Sequence, residues 1–281
     1  MEMRTSWRPK ILVVASRLDK ASMNIANKLM EMHDFQPTDL TFDGWPVYAR
    51  GDVALAFTNV DDIFAEHVGQ LGPEAVIFAS RHASSKGEPT LSTHTPGNLG
   101  HEALYGGRPR ELAWSEPNIM KKALQVLEAE RSRIGLLDYK ACLEATHHGP
   151  TGLQVPVAFV EIGSTPDRWS DPLAGEAVAE AIWEAATKPA RADKAIGFGG
   201  GHYAPKFTKL VLEEVGIAVG HIVPKHVFST LGQDRWLVEE PVSKTWGGCR
   251  VAVLDRKGLK GPDKKFVASV AEELGLEVLI I

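Results

Sequence analysis

With 281 residues, 44% of them hydrophobic and 24% charged, the chain is long enough to bury a large core and has the make-up of a globular enzyme. Its net charge of −5 excludes a generally basic, nucleic-acid-coating surface. Its two cysteines, Cys142 and Cys249, lie far apart and outside any Cys-x-x-Cys spacing, which excludes a disulfide framework or a thiolate zinc site and points to the reducing cytoplasm.

The start, Met1–Lys10, lacks the apolar core of a signal peptide, and no apolar run approaches membrane-spanning length. Ile11–Ala15, Val53–Phe57 and Ala75–Ala79 are continuously apolar, as expected of strands buried on both faces. Between the first two, Ile25, Leu29 and Met32 mark a helix over about 21–32. The stretch from Ala83 to Glu111, rich in Ser, Thr, Gly, Pro and charge, reads as a long functional loop at a lobe boundary. Pro117–Ala129 predicts a helix with Ser115 as its cap. Strands follow at Ala141–Thr146 and Val157–Ile162, then an alanine-rich helix at Asp171–Ala186. The remainder alternates: strand 194–198, helix 205–215, strands 217–223 and 251–254, helix 263–274 and strand 276–281. This alternation predicts an α/β fold, with a mixed, largely parallel sheet flanked by helices. Two closely packed lobes are expected, residues 1–110 with the long loop and residues 111–281 with a Gly-Gly-Gly-His loop.

Eight of the ten histidines sit in short segments punctuated by glycine and proline. Imidazole titrates near neutrality and is the commonest metal ligand, so several histidines at strand ends suggest one site gathered from distant parts of the chain. Ser80-Arg81-His82 follows a strand end, where Arg81 suits a carboxylate or phosphate or else a structural ion pair. His94, Asn98 and His101 lie on the long loop. Thr146-His147-His148-Gly149-Pro150 closes a strand, and both rings serve one site only if the chain has already turned. Glu161 sits near the end of an apolar strand, where a carboxylate must be paired, coordinated or hydrogen-bonded. Gly199-Gly200-Gly201-His202-Tyr203-Ala204-Pro205 joins a strand to a helix, and its N–H groups suit a phosphate or an oxyanion. His221, inside a strand, reads as a core histidine, and Lys225-His226 follows that strand. A local basic patch remains open at Arg108/Arg110, Lys121/Lys122 and Arg131/Arg133, though each pair by itself reads as a solvated face.

No His-Glu-x-x-His helix, Gly-x-Ser-x-Gly elbow or Pro-Cys-x-x-Cys motif is present. A bound metal would therefore take histidines and carboxylates from across the chain. We assign His82, His94 and His147 to metal, His148, Glu161 and His202 to catalysis, and Arg81, Gly199, Gly200, Gly201 and Tyr203 to substrate.

Five of these motifs, in this order, resemble the archaeal- and plant-type D-aminoacyl-tRNA deacylases: Ser80–His82, His94–Asn98, Thr146–Pro150, Phe159–Ser164 and Gly199–Pro205. The resemblance runs from the first strand to the C-terminus. It implies hydrolysis of the ester between a D-amino acid and the terminal ribose of tRNA, with zinc as the metal, by a monomer. The partner implied is the acceptor end of tRNA, gripped through a local basic rim, rather than DNA or a membrane. Two other readings compete. One is a metal-dependent or phosphorylase-like enzyme acting on a small molecule. The other is a non-catalytic tRNA-binding module, which would tolerate loss of the histidines.

Overall fold

A computed structural model describes residues 7–281; the first six, part of the stretch inspected for a targeting signal, lie outside the described residues. In chain order the elements are β1 (Ile11–Ser16), α1 (Lys20–His33), β2 (Gln36–Phe42), β3 (Trp45–Arg50), β4 (Val53–Thr58), β5 (Ala75–Ala83), β6 (Thr90–His94), β7 (Gly97–Asn98) and β8 (Glu111–Leu112). Then come α2 (Pro117–Ile134), β9 (Lys140–Leu143), β10 (Val157–Ser164), α3 (Pro166–Trp169) and α4 (Pro172–Thr187). The last third holds β11 (Asp193–Phe198), α5 (Pro205–Glu213), β12 (Ile217–Val223), α6 (Lys225–Leu231), α7 (Trp236–Ser243), β13 (Val251–Leu254), α8 (Gly261–Glu273) and β14 (Glu277–Ile280).

Two sheets organise the molecule, as the alternation of elements predicts. The larger has eight strands in the order β2-β3-β4-β1-β5-β10-β6-β9, and the smaller has four in the order β12-β11-β13-β14. The centre of the larger sheet, β4-β1-β5-β10, is parallel, and every pair in the smaller sheet is parallel. Helices α1, α2 and α4 cover one face of the larger sheet, packing Ile25, Leu29, Leu124, Val178 and Ile182 against Val13, Ile77 and Val160. Burial of this apolar surface is the main source of stability. Phe78 and Phe159 point to the opposite face and stack there with ring centroids 4.8 Å apart.

Several details depart from the sequence reading. The stretch 83–111 is not structureless, because β6 runs through it, antiparallel to β10 and parallel to β9. Glu116 rather than Ser115 caps α2, its side chain accepting from the Asn118 N–H at 3.2 Å. Ser115 instead shares a hydrogen bond with the Thr95 hydroxyl. The hairpin β2–β3 and the helices α6 and α7 were not foreseen. A division at 110/111 cuts the two-stranded ribbon β7–β8, whereas the two sheets part between Ser164 and Asp193.

Candidate active site

Strand register builds the first part of the site. On β10, Phe159 lies opposite His94 of β6, Glu161 opposite Ser80 of β5, and Gly163 opposite His82. Because side chains alternate along a strand, His82, Glu161 and His94 all rise from the face away from α1, α2 and α4. Gly163 leaves room for its neighbours, since a Cβ there would meet the Thr90 hydroxyl and crowd the His82 ring. Past β9 the chain leaves the larger sheet and is stitched to the second lobe. The Ala145 N–H donates to the His202 carbonyl and the Thr146 N–H to the Ile222 carbonyl, at 2.8 and 3.0 Å. That path sets Glu144 and His147 beside His202, which hangs from the β11–α5 loop.

The required turn after His147 is present. His148 has φ of +47°, a left-handed conformation uncommon for a side-chain-bearing residue. Both rings thereby face the site, with centroids 4.4 Å apart. The Nδ1–H of His147 donates to the Ala145 carbonyl at 2.7 Å and that of His148 to the Gly149 carbonyl at 2.6 Å. These bonds leave each Nε2 as a bare lone pair.

Glu144 is the focus of the cluster, and sequence reasoning missed it. One of its carboxylate oxygens lies 2.9 Å from His202 Nε2, 3.2 Å from His82 Nδ1 and 3.7 Å from His147 Nε2. Glu161 approaches His94 Nε2 at 3.5 Å and His82 Nδ1 at 3.8 Å. Both carboxylates are 1% exposed. Despite these short approaches, both oxygens of Glu144, both nitrogens of His94 and Oε2 of Glu161 make no well-angled hydrogen bond. Imidazole nitrogens and carboxylate oxygens therefore converge in a buried space with few well-angled hydrogen bonds among them, an arrangement that suits a cation. His82, Glu144, His147 and His202 each offer a ligand atom within 4.8 Å of the others; His94 joins alternative groups with His147 and His148, or with Glu144 and Glu161.

The electrostatics divide the two carboxyls. Burial opposes ionisation of Glu144, but contact with His202 and His82 outweighs it and holds the group well below the usual range. Burial, and then the charge of Glu144, push Glu161 well above that range. Such a split is one way a site separates acid and base roles. His82 and His202 are raised, contact with Glu144 overcoming their burial. Burial lowers His94 to about 4 and His148, also facing His94, to about 3. His147 is held well below the usual range by burial and by its imidazole neighbours.

The other expected residues divide. Tyr203 belongs to the site, its hydroxyl 3.0 Å from His82 Nε2. Arg81 stands at the mouth but is held in ion pairs with Asp61 at 2.6 Å and Asp19 at 3.2 Å. The glycine loop has less to offer a ligand than its sequence suggests. Gly199 donates its N–H to the Val223 carbonyl, and Gly199 and Gly200 pack against the turn from Asp255 to Leu259. Of the three glycines only Gly201 lines a cavity beside the cluster. His221 is a satisfied core histidine between the Thr146 hydroxyl and the Ala113 carbonyl. Asn98 braces its own loop through the carbonyls of Gly106 and Arg108, while His101 and His226 line a cavity outside the cluster. The basic pairs are largely neutralised: Arg108 by Glu111, Arg110 by Asp234, Arg131 by Glu128 and Arg133 by Glu130. Lys121 is buried, donating to three backbone carbonyls.

Two cavities, of about 670 and 880 Å³, meet at the cluster and share Tyr105, His147, His148 and His202 as a common wall. A site of this shape admits a substrate whose two halves extend to either side of the bond being broken.

Comparison with known proteins converges on one family. A family profile described as D-aminoacyl-tRNA deacylase matches residues 70–279. The D-aminoacyl-tRNA deacylase of Thermococcus onnurineus is 40% identical over 277 residues, covering 95% of this chain and 98% of that protein. Its counterpart in Pyrococcus horikoshii is 40% identical over 281 residues with the same coverage, and that of Methanosarcina acetivorans 37% over 284 residues, covering 96% and 92%. A crystal structure of a conserved protein of unknown function superposes with a TM-score of 0.87 at 34% identity, over 97% of this chain and 95% of that one.

Proposed function

The chain belongs to the D-aminoacyl-tRNA deacylase family, and from that membership we propose that it hydrolyses the ester linking a D-amino acid to the terminal ribose of tRNA at the histidine–glutamate cluster. The observation that carries the assignment of the site is the convergence of His82, His147 and His202 on the buried carboxylate of Glu144, where two cavities meet. The donor set fits zinc, which favours imidazole and carboxylate ligands and keeps an open position in catalytic sites. His82, Glu144 and His147 would hold the metal, and His94, expected as a ligand, would stand behind them. Bound there, zinc supplies Lewis acidity, polarising an ester carbonyl or acidifying water.

The chain's own residues do the rest. The Tyr203 hydroxyl holds the Nε2 end of the His82 ring, leaving Nδ1 turned to Glu144. Glu161, which burial and the charge of Glu144 push toward its neutral form, lies beside His94, 3.5 Å from its Nε2. His148 accepts a hydrogen bond at Nε2 without taking up charge, which suits the α-ammonium group of the substrate and fixes the face on which the α-carbon is presented. His202, 41% exposed at the common wall, is the mobile proton carrier. Were a metal to share the charge of Glu144, His202 Nε2 would be free to take a proton from the attacking water and return it to the departing ribose oxygen. The carbonyl carbon gains the water oxygen, the ester C–O bond breaks, and free D-amino acid and tRNA leave. We further place the enzyme in the cytoplasm as a monomer. Two unpaired cysteines support that reading, and no helix among the described residues is long and apolar enough to cross a membrane.

The test is deacylation of matched D- and L-tyrosyl-tRNA, before and after chelation and again with added zinc. Release from the D-ester alone, lost on chelation and restored by zinc, is expected. Equal slow loss of both esters would overturn the proofreading assignment, and D-selective release indifferent to the chelator would remove the metal from it.

A further inference from the structure

Resting on the deacylase reading, we propose that the 3′ end of the tRNA enters the 670 Å³ cavity from the second lobe, its phosphates on Lys225, Lys257 and Lys260 and its terminal base stacked on Tyr105.

The cavity lies between the loop from Gly97 to Tyr105 and helix α6, with Leu99, Leu104, Val227 and Leu231 in its walls and His147, His148 and His202 at its inner end. Tyr105 and Leu104 are 68% and 75% exposed, large apolar groups left bare at the mouth of a site. Their bareness is not looseness. The Tyr105 carbonyl accepts from the Gly149 N–H at 2.9 Å. The next residue, Gly106, has φ of +78° and lies against the Ile63 carbonyl, where no Cβ fits. Asn98 Nδ2 holds the Gly106 carbonyl at 2.8 Å. A ring on a fixed backbone, open on its outer side, suits a flat partner, and base–aromatic stacking is the sequence-tolerant means by which proteins hold single-stranded ends.

Charge gives the direction of entry. On the first-lobe side a single exposed lysine without an ion pair, Lys86, lines the 880 Å³ cavity, and the arginines near the cluster are already paired: Arg81 with Asp19 and Asp61, Arg108 with Glu111 and Arg110 with Asp234. On the second-lobe side Lys225, Lys257 and Lys260 are exposed. The acid of their turn, Asp255, is taken by Lys206 at 2.6 Å. These lysines adjoin the loop that carries His202. The Lys225 N–H donates to the Gly200 carbonyl at 3.0 Å, and Gly258 and Leu259 pack on Gly200 and Gly199. Lys225 also opens α6, the helix whose Val227 and Leu231 wall the cavity. Three exposed cations without an acidic partner thus stand behind the loop that carries His202, on the side of the cavity walled by α6, where a polyanion with a terminal base would approach. The aminoacyl group then falls on the other side of the common wall, in the 880 Å³ cavity beside Ser80 and Arg81.

The experiment compares kcat and KM on D-tyrosyl-tRNA and on the D-tyrosyl ester of adenosine, which keeps the base but lacks the phosphates. A variant carrying Lys225→Ala, Lys257→Ala and Lys260→Ala is expected to lose on the order of 10-fold or more in kcat/KM on the tRNA, with a log–log salt dependence shallower by about 2. Its activity on the adenosine ester should not change. Tyr105→Ala is expected to raise KM on both substrates by on the order of 10-fold at unchanged kcat, and Tyr105→Phe to restore it. Equal losses on both esters from the lysine variant, an undiminished salt dependence, or an unmoved KM in Tyr105→Ala would overturn the proposal. Wild-type protein that cleaves neither D-ester would instead overturn the deacylase reading beneath it. Matched melting temperatures exclude misfolding of the variants.

Discussion

Replacing Glu144 by glutamine keeps its volume and removes the charge on which three imidazoles converge. Glu144→Gln should leave the purified protein without stoichiometric zinc and lower D-tyrosyl-tRNA turnover by about 100-fold or more, the scale seen when a metal site is compromised. Metal analysis of the variant checks this, and retention of both metal and rate would remove Glu144 from the site. His221 carries a second prediction, of a different kind. Burial lowers its pKa from 6.5 to about 4. The native state therefore favours the neutral ring, so the stability it contributes is whole above pH 6.5 and drains as pH falls from there to about 4. A gap of that size is worth roughly 3 kcal/mol. Chemical unfolding at pH 7 and pH 4 should show His221→Gln losing less stability than the wild type by about that amount, and parallel losses would contradict it. Imidazoles announce themselves in the sequence through the company they keep, so His82, His147, His148 and His202 were legible. Glu144 was not. Its only sign was a position three residues before His147, and its burial depends on a bridge to Tyr203 that no local pattern foretells.

Among elements, the interior strands are legible because strands buried on both faces carry continuous apolar runs, as Val53–Phe57 and Val157–Val160 do. β6 escapes because Thr90, Ser92 and His94 are polar yet buried, turned toward the cluster and its surroundings, and Thr93 on the opposite face is polar as well. β2 escaped for the opposite reason, since its residues are largely exposed at the sheet edge and carry no apolar alternation. Helix α4 shows the legible case. Asp171 caps it, Oδ1 accepting from the Leu173 and Ala174 N–H groups while Oδ2 accepts from the Tyr139 hydroxyl at 2.9 Å. Asp171→Ala should therefore cost about 2 kcal/mol, more than an ordinary cap, because a buried phenol also loses its partner. Equilibrium denaturation measures it, and a cost below about 0.5 kcal/mol would show the cap to be dispensable.

At the scale of the molecule, the site is the place where the two sheets meet. The segment Glu144–His147 contributes ligands and at the same time hydrogen-bonds to His202 and Ile222 of the second lobe. A metal held there would link its binding to lobe docking. Removing zinc from a protein that held it at 1,000 times its dissociation constant would cost about 4 kcal/mol. In a chain of this length that corresponds to a melting temperature lower by roughly 10 °C. A thermal scan with and without chelator decides the matter, and an unchanged midpoint after verified metal removal would separate the two events. The division of the chain into two sheets also has a temporal meaning. The backbone passes from the first sheet to the second once, between Ser164 and Asp193. A ribosome thus releases His82, His94, Glu144, His147, His148 and Glu161 well before it has made His202 or the three lysines. An N-terminal lobe folding as it emerges, as domains generally do during synthesis, holds most of the cluster but neither His202 nor the lysines proposed to guide the RNA. Translation itself withholds the hydrolase until the last lobe is finished.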